Sequence, residues 1–264
     1  MIHSLSDPFG RRIDYLRVSV TDQCNERCLY CRPASYRGWS PRPEHLTAQE
    51  FIQIIRVAVE SGIRHVRLTG GEPLLRSDLP EIARGTAALP GLHSLSLSTN
   101  GTLLASLAPS LQEAGVTSVN LSLDALHPEL YRRITGGIMS EFLAGFRAAL
   151  SVGFRQVKLN CVLLRGVNEL ELRPLVNFAA EHNVPLRLIE LMPLTLTTEP
   201  REHLFLSTQE AWRLLGGEQN LIPLPDFPGG HGPARYFRDQ ISGAVIGFIG
   251  AMTAPDFCTS CNKL

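Results

Sequence analysis

The chain lacks an excess of charge of either sign. Lys and Arg together number 25, as do Asp and Glu, so the formal net charge of its 264 residues is zero. A protein that wraps a nucleic acid along its whole surface is thereby disfavoured, although one basic pocket is compatible with a neutral total. No apolar run approaches the roughly 20 residues of a membrane-spanning helix. The opening residues, MIHSLSDPFGRRI, hold no apolar stretch ahead of a cleavage site, so no secretory leader is expected. Long repeats and low-complexity tracts are missing too. The length suits one large α/β domain, or one domain with an appendage. A cytoplasmic, reducing setting is the expectation, with no nucleic-acid or membrane partner. In that setting clustered cysteines serve as metal ligands more often than as disulfides.

What is present is an alternation of β-rich runs with helix-period segments. The runs cover 13–21, 65–70, 94–100, 118–124, 156–164 and 186–192; helical periodicity covers 48–61, 78–88, 104–114, 139–152 and 172–182. The first helix shows its signals plainly, with Thr47 as cap, Glu50 three positions on and Gly62 as stop. Five connections of helix length joining six strands imply a parallel sheet. Right-handed crossovers curl it into a partial (β/α)6 TIM-like barrel. Ligands in such folds collect at the carboxyl ends of the strands. There sit TDQC, TGGEP, STNG, SLD and LMP. Beyond the barrel, Pro193, Pro200, Pro223, Pro225, Pro228 and GGHG at 229–232 break the pattern. A short helix (208–215) and two strands, ARYFR and AVIGFIG, are expected after the break. The division is therefore a barrel over 1–193 and an appendage over 194–264 that packs across the barrel mouth.

Cys24, Cys28 and Cys31 stand in C-x3-C-x2-C spacing in the loop leaving the first strand, within TDQCNERCLYCRP. Zinc prefers four ligands in a closed tetrahedron, so a structural zinc loop needs a distant fourth. A [4Fe–4S] cluster held by three thiolates instead keeps one iron open for a non-protein ligand. Cys258 and Cys261 form a further C-x2-C. Arg17, Arg67, Lys158 and Arg187 each fall inside an expected strand. A cation within a doubly covered strand is costly unless it meets an anion. One such residue is ordinarily explained by a neighbouring carboxylate; four facing one barrel favour a phosphate-bearing ligand.

The cysteine spacing with Tyr30 before its last member, followed one strand–helix unit later by TGGEP (69–73), resembles the radical S-adenosylmethionine superfamily. DPFGRRIDYLRVSVTDQCNERCLYCRP, RLTGGEPLLR, SLSTNG, NLSLDAL and FCTSCNKL run in order from about residue 7 to the last residue. Together they narrow the resemblance to the molybdenum cofactor biosynthesis protein A family, the GTP 3′,8-cyclases. The resemblance implies that Cys24, Cys28 and Cys31 hold a first [4Fe–4S] cluster. Tyr30, Gly71, Ser122 and Met192 would contact S-adenosyl-L-methionine, with Glu72 and Asn100 as helpers. Arg17, Arg67, Ser98, Lys158 and Arg187 would bind GTP. Ser98 stands where the family usually has threonine, which keeps the hydroxyl. His65 stands where a basic residue is expected near the triphosphate, and a histidine there would loosen the grip at high pH.

Cys258 and Cys261 would belong to a second cluster, whose third cysteine lies further along in the family, and Lys263 opens the family's arginine-containing segment. The motifs break off within that segment, so a fragment of a longer protein is expected. The reaction implied is conversion of GTP to 3′,8-cyclo-7,8-dihydroGTP through a 5′-deoxyadenosyl radical. The partners implied are GTP, an external one-electron donor, the downstream cyclic pyranopterin monophosphate synthase and a second copy of the chain. Two other readings stay open: a radical enzyme acting on a peptide with an auxiliary cluster, and a non-catalytic iron–sulfur or zinc-binding paralogue.

Overall fold

A computed structural model describes residues 5–8, 10–31, 46–192, 201–225, 227, 232–255, 257–259 and 261–264. The expected breaks at Pro193, Pro200, Pro228 and 229–231 lie outside these residues. Six strands begin the fold: β1 (Tyr15–Ser19), β2 (His65–Thr69), β3 (Ser94–Thr99), β4 (Ser118–Ser122), β5 (Gln156–Leu163) and β6 (Leu186–Glu190). They pair in parallel, each with the next. Between them run α1 (Ala48–Glu60), α2 (Leu79–Ala87), α3 (Leu104–Glu113), α4 (Pro128–Thr135), α5 (Met139–Ser151) and α6 (Leu172–Glu181). In α1 the capping box of Thr47 and Glu50 is formed, and Ala48, Phe51, Ile52, Ile55 and Val59 make the buried stripe. The sequence periodicity passes over α4, which starts on Pro128 and stops on the left-handed Gly136.

The strands alternate in a way that prepares a site. Val66 and Leu68 are fully buried in the core, while Arg67 and Thr69 between and beyond them line the barrel interior. Along β5, Val157, Leu159, Cys161 and Leu163 enter the core, and Lys158 and Asn160 take the opposite face. A fully covered parallel strand would be apolar throughout; these carry polar residues at most inner-face positions, Val162 and Ile189 excepted, because the inner face surrounds a cavity.

After β6 come α7 (Arg201–Leu204), α8 (Thr208–Leu214), β7 (Leu221–Pro223), β8 (Arg235–Asp239) and β9 (Val245–Ile249). The later strands do not make a separate layer. They continue the barrel sheet in the order β6-β9-β8-β7, with β9 parallel to β6 and the rest antiparallel. The free edge of β6 carries unpaired backbone groups, and β9 satisfies them. What crosses the barrel is the last segment. It leaves β9 and returns to the far edge, where Tyr15 N donates to Asn262 O (3.2 Å), Arg17 N to Leu264 O (2.9 Å) and Leu264 N to Tyr15 O (2.8 Å). No helix of the described residues is long and apolar enough to cross a membrane.

Candidate active site

At the carboxyl ends of the strands lies a cavity of about 590 Å³. Cys24, Cys28 and Cys31 line it, and the loop carrying them is tied down on every side. Gly71 N donates to Thr21 O (2.8 Å) and Glu72 N to Gln23 O (2.6 Å). Asn100 Nδ2 donates to Asn25 Oδ1 (2.8 Å) and Asn25 Nδ2 to Thr102 Oγ1 (2.8 Å). From the other side, Arg27 N and Leu29 N donate to the carbonyls of Thr135 and Ile134 at the end of α4. Tyr30 Oη donates to Asp124 Oδ2 (2.7 Å). The loop is thus positioned by β2, β3, α4 and the segment after β4.

Three buried carboxylates gather at this end. Glu72 accepts from Leu74 N, Thr99 Oγ1 and Asn100 N, yet burial raises its pKa to about 7. Glu26 accepts from Tyr131 Oη (2.8 Å) and is raised to about 7, mainly by burial. Asp124 accepts from Tyr30 and from Val162 N (2.7 Å), and burial raises it to about 6. Glu72 and Asn100, singled out by their motifs, are therefore engaged in holding the cysteine loop. Glu26, Asp124 and Asn160 also line the cavity. No spacing rule points to them.

The cations approach from the barrel interior. Arg17, Arg67, Arg187 and Lys263 line the cavity, and none pairs with a carboxylate among the described residues. Arg187 donates from Nε to Asn160 Oδ1 (2.8 Å) and from Nη2 to Asn120 Oδ1, which aims its guanidinium. Burial, then Arg67, lowers its pKa to about 10. Lys263 is lowered to about 8 by burial, then by Arg67 and Arg187. Lys158, only 7 % exposed, sits deeper and faces the opposite mouth; burial, then Arg187, Arg67 and Lys263, lowers it to about 7. Ser98, Ser122 and Met192 line the same cavity as the cysteines. His65 lies at the other end, bonded through Nδ1 to Ser94 Oγ (2.8 Å).

The donor set suits a cluster. Among the described residues no three His, Cys, Asp or Glu side chains converge as ligands of one ion would. A cubane asks for something else, one thiolate on each of three irons around a space, and three thiols around one cavity offer that. Burial, then Asp124 and Glu26, pushes the Cys28 thiol far up, so its thiolate needs bound iron. A Cβ on Gly71 would overlap the Gln23 carbonyl oxygen, so glycine is what lets β2 end against the cysteine loop. At the other end of the chain Cys261 lines the cavity, whereas Cys258 is exposed and its carbonyl accepts from Arg11 Nη1. Cys161 is buried in the core, with Asn168 Nδ2 at 3.6 Å from its sulfur, which makes it a packing residue.

The radical SAM superfamily pattern matches residues 18–179. The GTP 3′,8-cyclase of Pseudomonas putida (strain GB-1) is 41% identical over 264 residues, spanning 99% of this chain and 78% of that protein. That of Listeria monocytogenes serovar 1/2a is 40% identical, over 98% and 78%. Among solved structures, TYW1 with a lysine-pyruvate adduct aligns with a TM-score of 0.60 at 17% identity, over 91% of this chain and 84% of that one. Streptococcus suis SuiB bound to S-adenosylmethionine aligns at 0.58 and 20% identity, over 70% and 42%. These distant likenesses establish the fold. The superfamily match, and identity of 40–41% over nearly all of this chain and 78% of each relative, establish more: the chain belongs to the radical SAM superfamily and, within it, to the GTP 3′,8-cyclase family.

Proposed function

We infer that this chain converts GTP to 3′,8-cyclo-7,8-dihydroGTP in molybdenum cofactor biosynthesis. The observation that carries this reading is one cavity with a three-cysteine loop at its rim and, in its walls, cations that pair with no carboxylate among the described residues. A [4Fe–4S] cluster held by Cys24, Cys28 and Cys31 would supply one-electron cleavage of S-adenosylmethionine. The chain's own residues do the rest. Tyr30, Gly71, Ser122 and Met192 would hold S-adenosylmethionine beside the cysteines, while Glu72, Asn100 and Asp124 keep the loop in place. Arg17, Arg67, Ser98, Lys158, Arg187 and Lys263 would hold GTP, the arginine forks suiting its phosphates. The segment after β9 narrows the mouth and shields a reactive intermediate from water. Cys258 and Cys261 would supply two thiols toward a second cluster. An external one-electron donor and cyclic pyranopterin monophosphate synthase would act before and after this step.

The test is anaerobic incubation of reconstituted protein with S-adenosylmethionine, dithionite and GTP. The expected outcome is 5′-deoxyadenosine formation together with loss of GTP. Cys28→Ala should abolish both; undiminished 5′-deoxyadenosine from that variant would refute the cluster assignment. Cleavage that neither consumes nor binds GTP would favour a peptide substrate instead.

A further inference from the structure

The last turn of α4 borders the cysteine loop, and the surface there is basic. Arg27 N donates to Thr135 O (2.7 Å) and Leu29 N to Ile134 O (2.8 Å), so the residues on either side of Cys28 are bonded to the end of that helix. Arg132 and Arg133 lie in the same turn and are exposed, as is Arg27. Gly136 stops the helix, and a Cβ built there would sit 3.8 Å from the Arg27 Cβ, which places the two segments in contact. Ile138, two residues further on, is 54 % exposed and adds an apolar surface.

None of the three arginines forms a salt bridge among the described residues, and none lines the cavity that would hold S-adenosylmethionine and GTP. The neighbouring acids do not neutralise them. Glu26 is buried against Tyr131 Oη, and Glu129, at the start of α4, forms no salt bridge among the described residues either. Cations in a last turn favour the helix dipole, which accounts for Arg132 and Arg133 but not for Arg27, outside the helix. The reaction inferred above takes up one electron from outside, and its two small-molecule ligands would fill the cavity side of the cysteines. Cys28 is half-buried and Arg27 next to it is at the surface, so the α4 side offers a short way in.

We propose that Arg27, Arg132 and Arg133 form the docking surface for an acidic one-electron carrier protein. The proposal rests on the radical reading above and deepens it by naming the chemistry of the donor. One electron leaves the carrier, which is oxidised, and is taken up at the cysteine loop; no atom is transferred. Three unpaired cations raise the local concentration of an acidic partner and orient it, so their effect falls on the rate of encounter and on its salt dependence.

The experiment mixes the cluster-loaded chain anaerobically with reduced flavodoxin, an acidic flavin protein, and follows bleaching of the cluster absorbance. Binding is measured alongside by titration calorimetry with oxidised flavodoxin. Reduction of wild type should slow as salt rises from ~0.01 M to ~0.15 M and the screening length shortens from about 30 Å to about 8 Å. Arg132→Glu combined with Arg133→Glu should slow reduction and weaken binding by about tenfold or more at low salt. Arg27 is left in place because it adjoins a cluster ligand. Photoreduced deazaflavin, small and uncharged, should reduce wild type and variant at equal rates. Parallel slowing with deazaflavin would mean that the substitutions damage the cysteine loop, and the proposal fails. It fails equally if flavodoxin reduces the variant as fast as wild type, or reduces neither while deazaflavin reduces both; the radical reading then stands. A wild-type chain with no absorbance that deazaflavin bleaches removes the radical reading itself, and the proposal with it.

Discussion

Glu72 is a carboxylate surrounded by three donors, with no cation beside it, 1 % exposed and raised to about 7. With Glu26 at about 7 and Asp124 at about 6, it holds a proton more readily folded than unfolded. An acid raised in this way contributes stability that is full below its unfolded value and lost as pH rises through the folded one. The cluster-free protein should therefore lose stability between pH 5 and 7, as urea unfolding at fixed temperature would report. Glu190 and Asp239 stand apart. Despite burial, hydrogen bonds from Thr253 and Thr208, and from Ser242 and Arg173, hold them below the ordinary carboxylate range. They titrate beneath that window. Glu72→Gln should flatten the slope and cost about 1–3 kcal/mol, since an amide must aim an N–H toward a donor. An unchanged slope would mean that Glu72 is not among the groups responsible.

Two elements decide whether the site forms, the cysteine loop and the final segment. The loop fits against β2 only because Gly70 and Gly71 have no side chain, and the atoms a Cβ would meet are the Thr21 and Gln23 carbonyls. Main chain cannot rotate away as a side-chain tip can. Gly71→Ala should therefore reconstitute with less iron and sulfide per chain, and a full complement would contradict the packing argument. The tail depends on Glu190 at the end of β6. It accepts from Thr208 N and Oγ1, Met252 N, and Thr253 N and Oγ1. One carboxylate thus joins the start of α8 and the turn after β9 to the barrel. Glu190→Ala should destabilise by about 3 kcal/mol, with early hydrogen exchange at 250–264 as its signature.

At the scale of the whole molecule the barrel interior brings both signs of charge to one cavity. Glu26, Glu72 and Asp124 stand around the cysteine loop, with Arg17, Arg67, Arg187 and Lys263 on the same walls and Lys158 deeper. Burial and the neighbouring arginines hold Lys158 at about 7 and Lys263 at about 8, so each is partly neutral at pH 8 in the free protein. A polyphosphate brought beside them favours their charged forms. GTP binding at pH 8 should therefore take up protons. Calorimetry in two buffers of different ionisation enthalpy measures this directly, and zero uptake would place the phosphates away from both lysines.

The barrel could be read in advance because period-2 and period-3.6 patterns are local, and each strand and crossover helix carries its own. The cysteine loop was equally legible, with its three ligands inside eight consecutive positions. β7 leaves no sequence signal because three residues ending in Pro223 hold no period, and α4 leaves little because its eight residues are short and largely polar. The rest of the site could not be read from neighbours in the chain. Tyr30 meets Asp124 across 94 positions and Tyr131 meets Glu26 across 105. Such contacts exist only once the sheet has curled. The local pattern puts Lys158 and Arg67 on the inner face of their strands, but which mouth of the barrel each one serves depends on strand register and stagger, a property of the curled sheet and of no single segment.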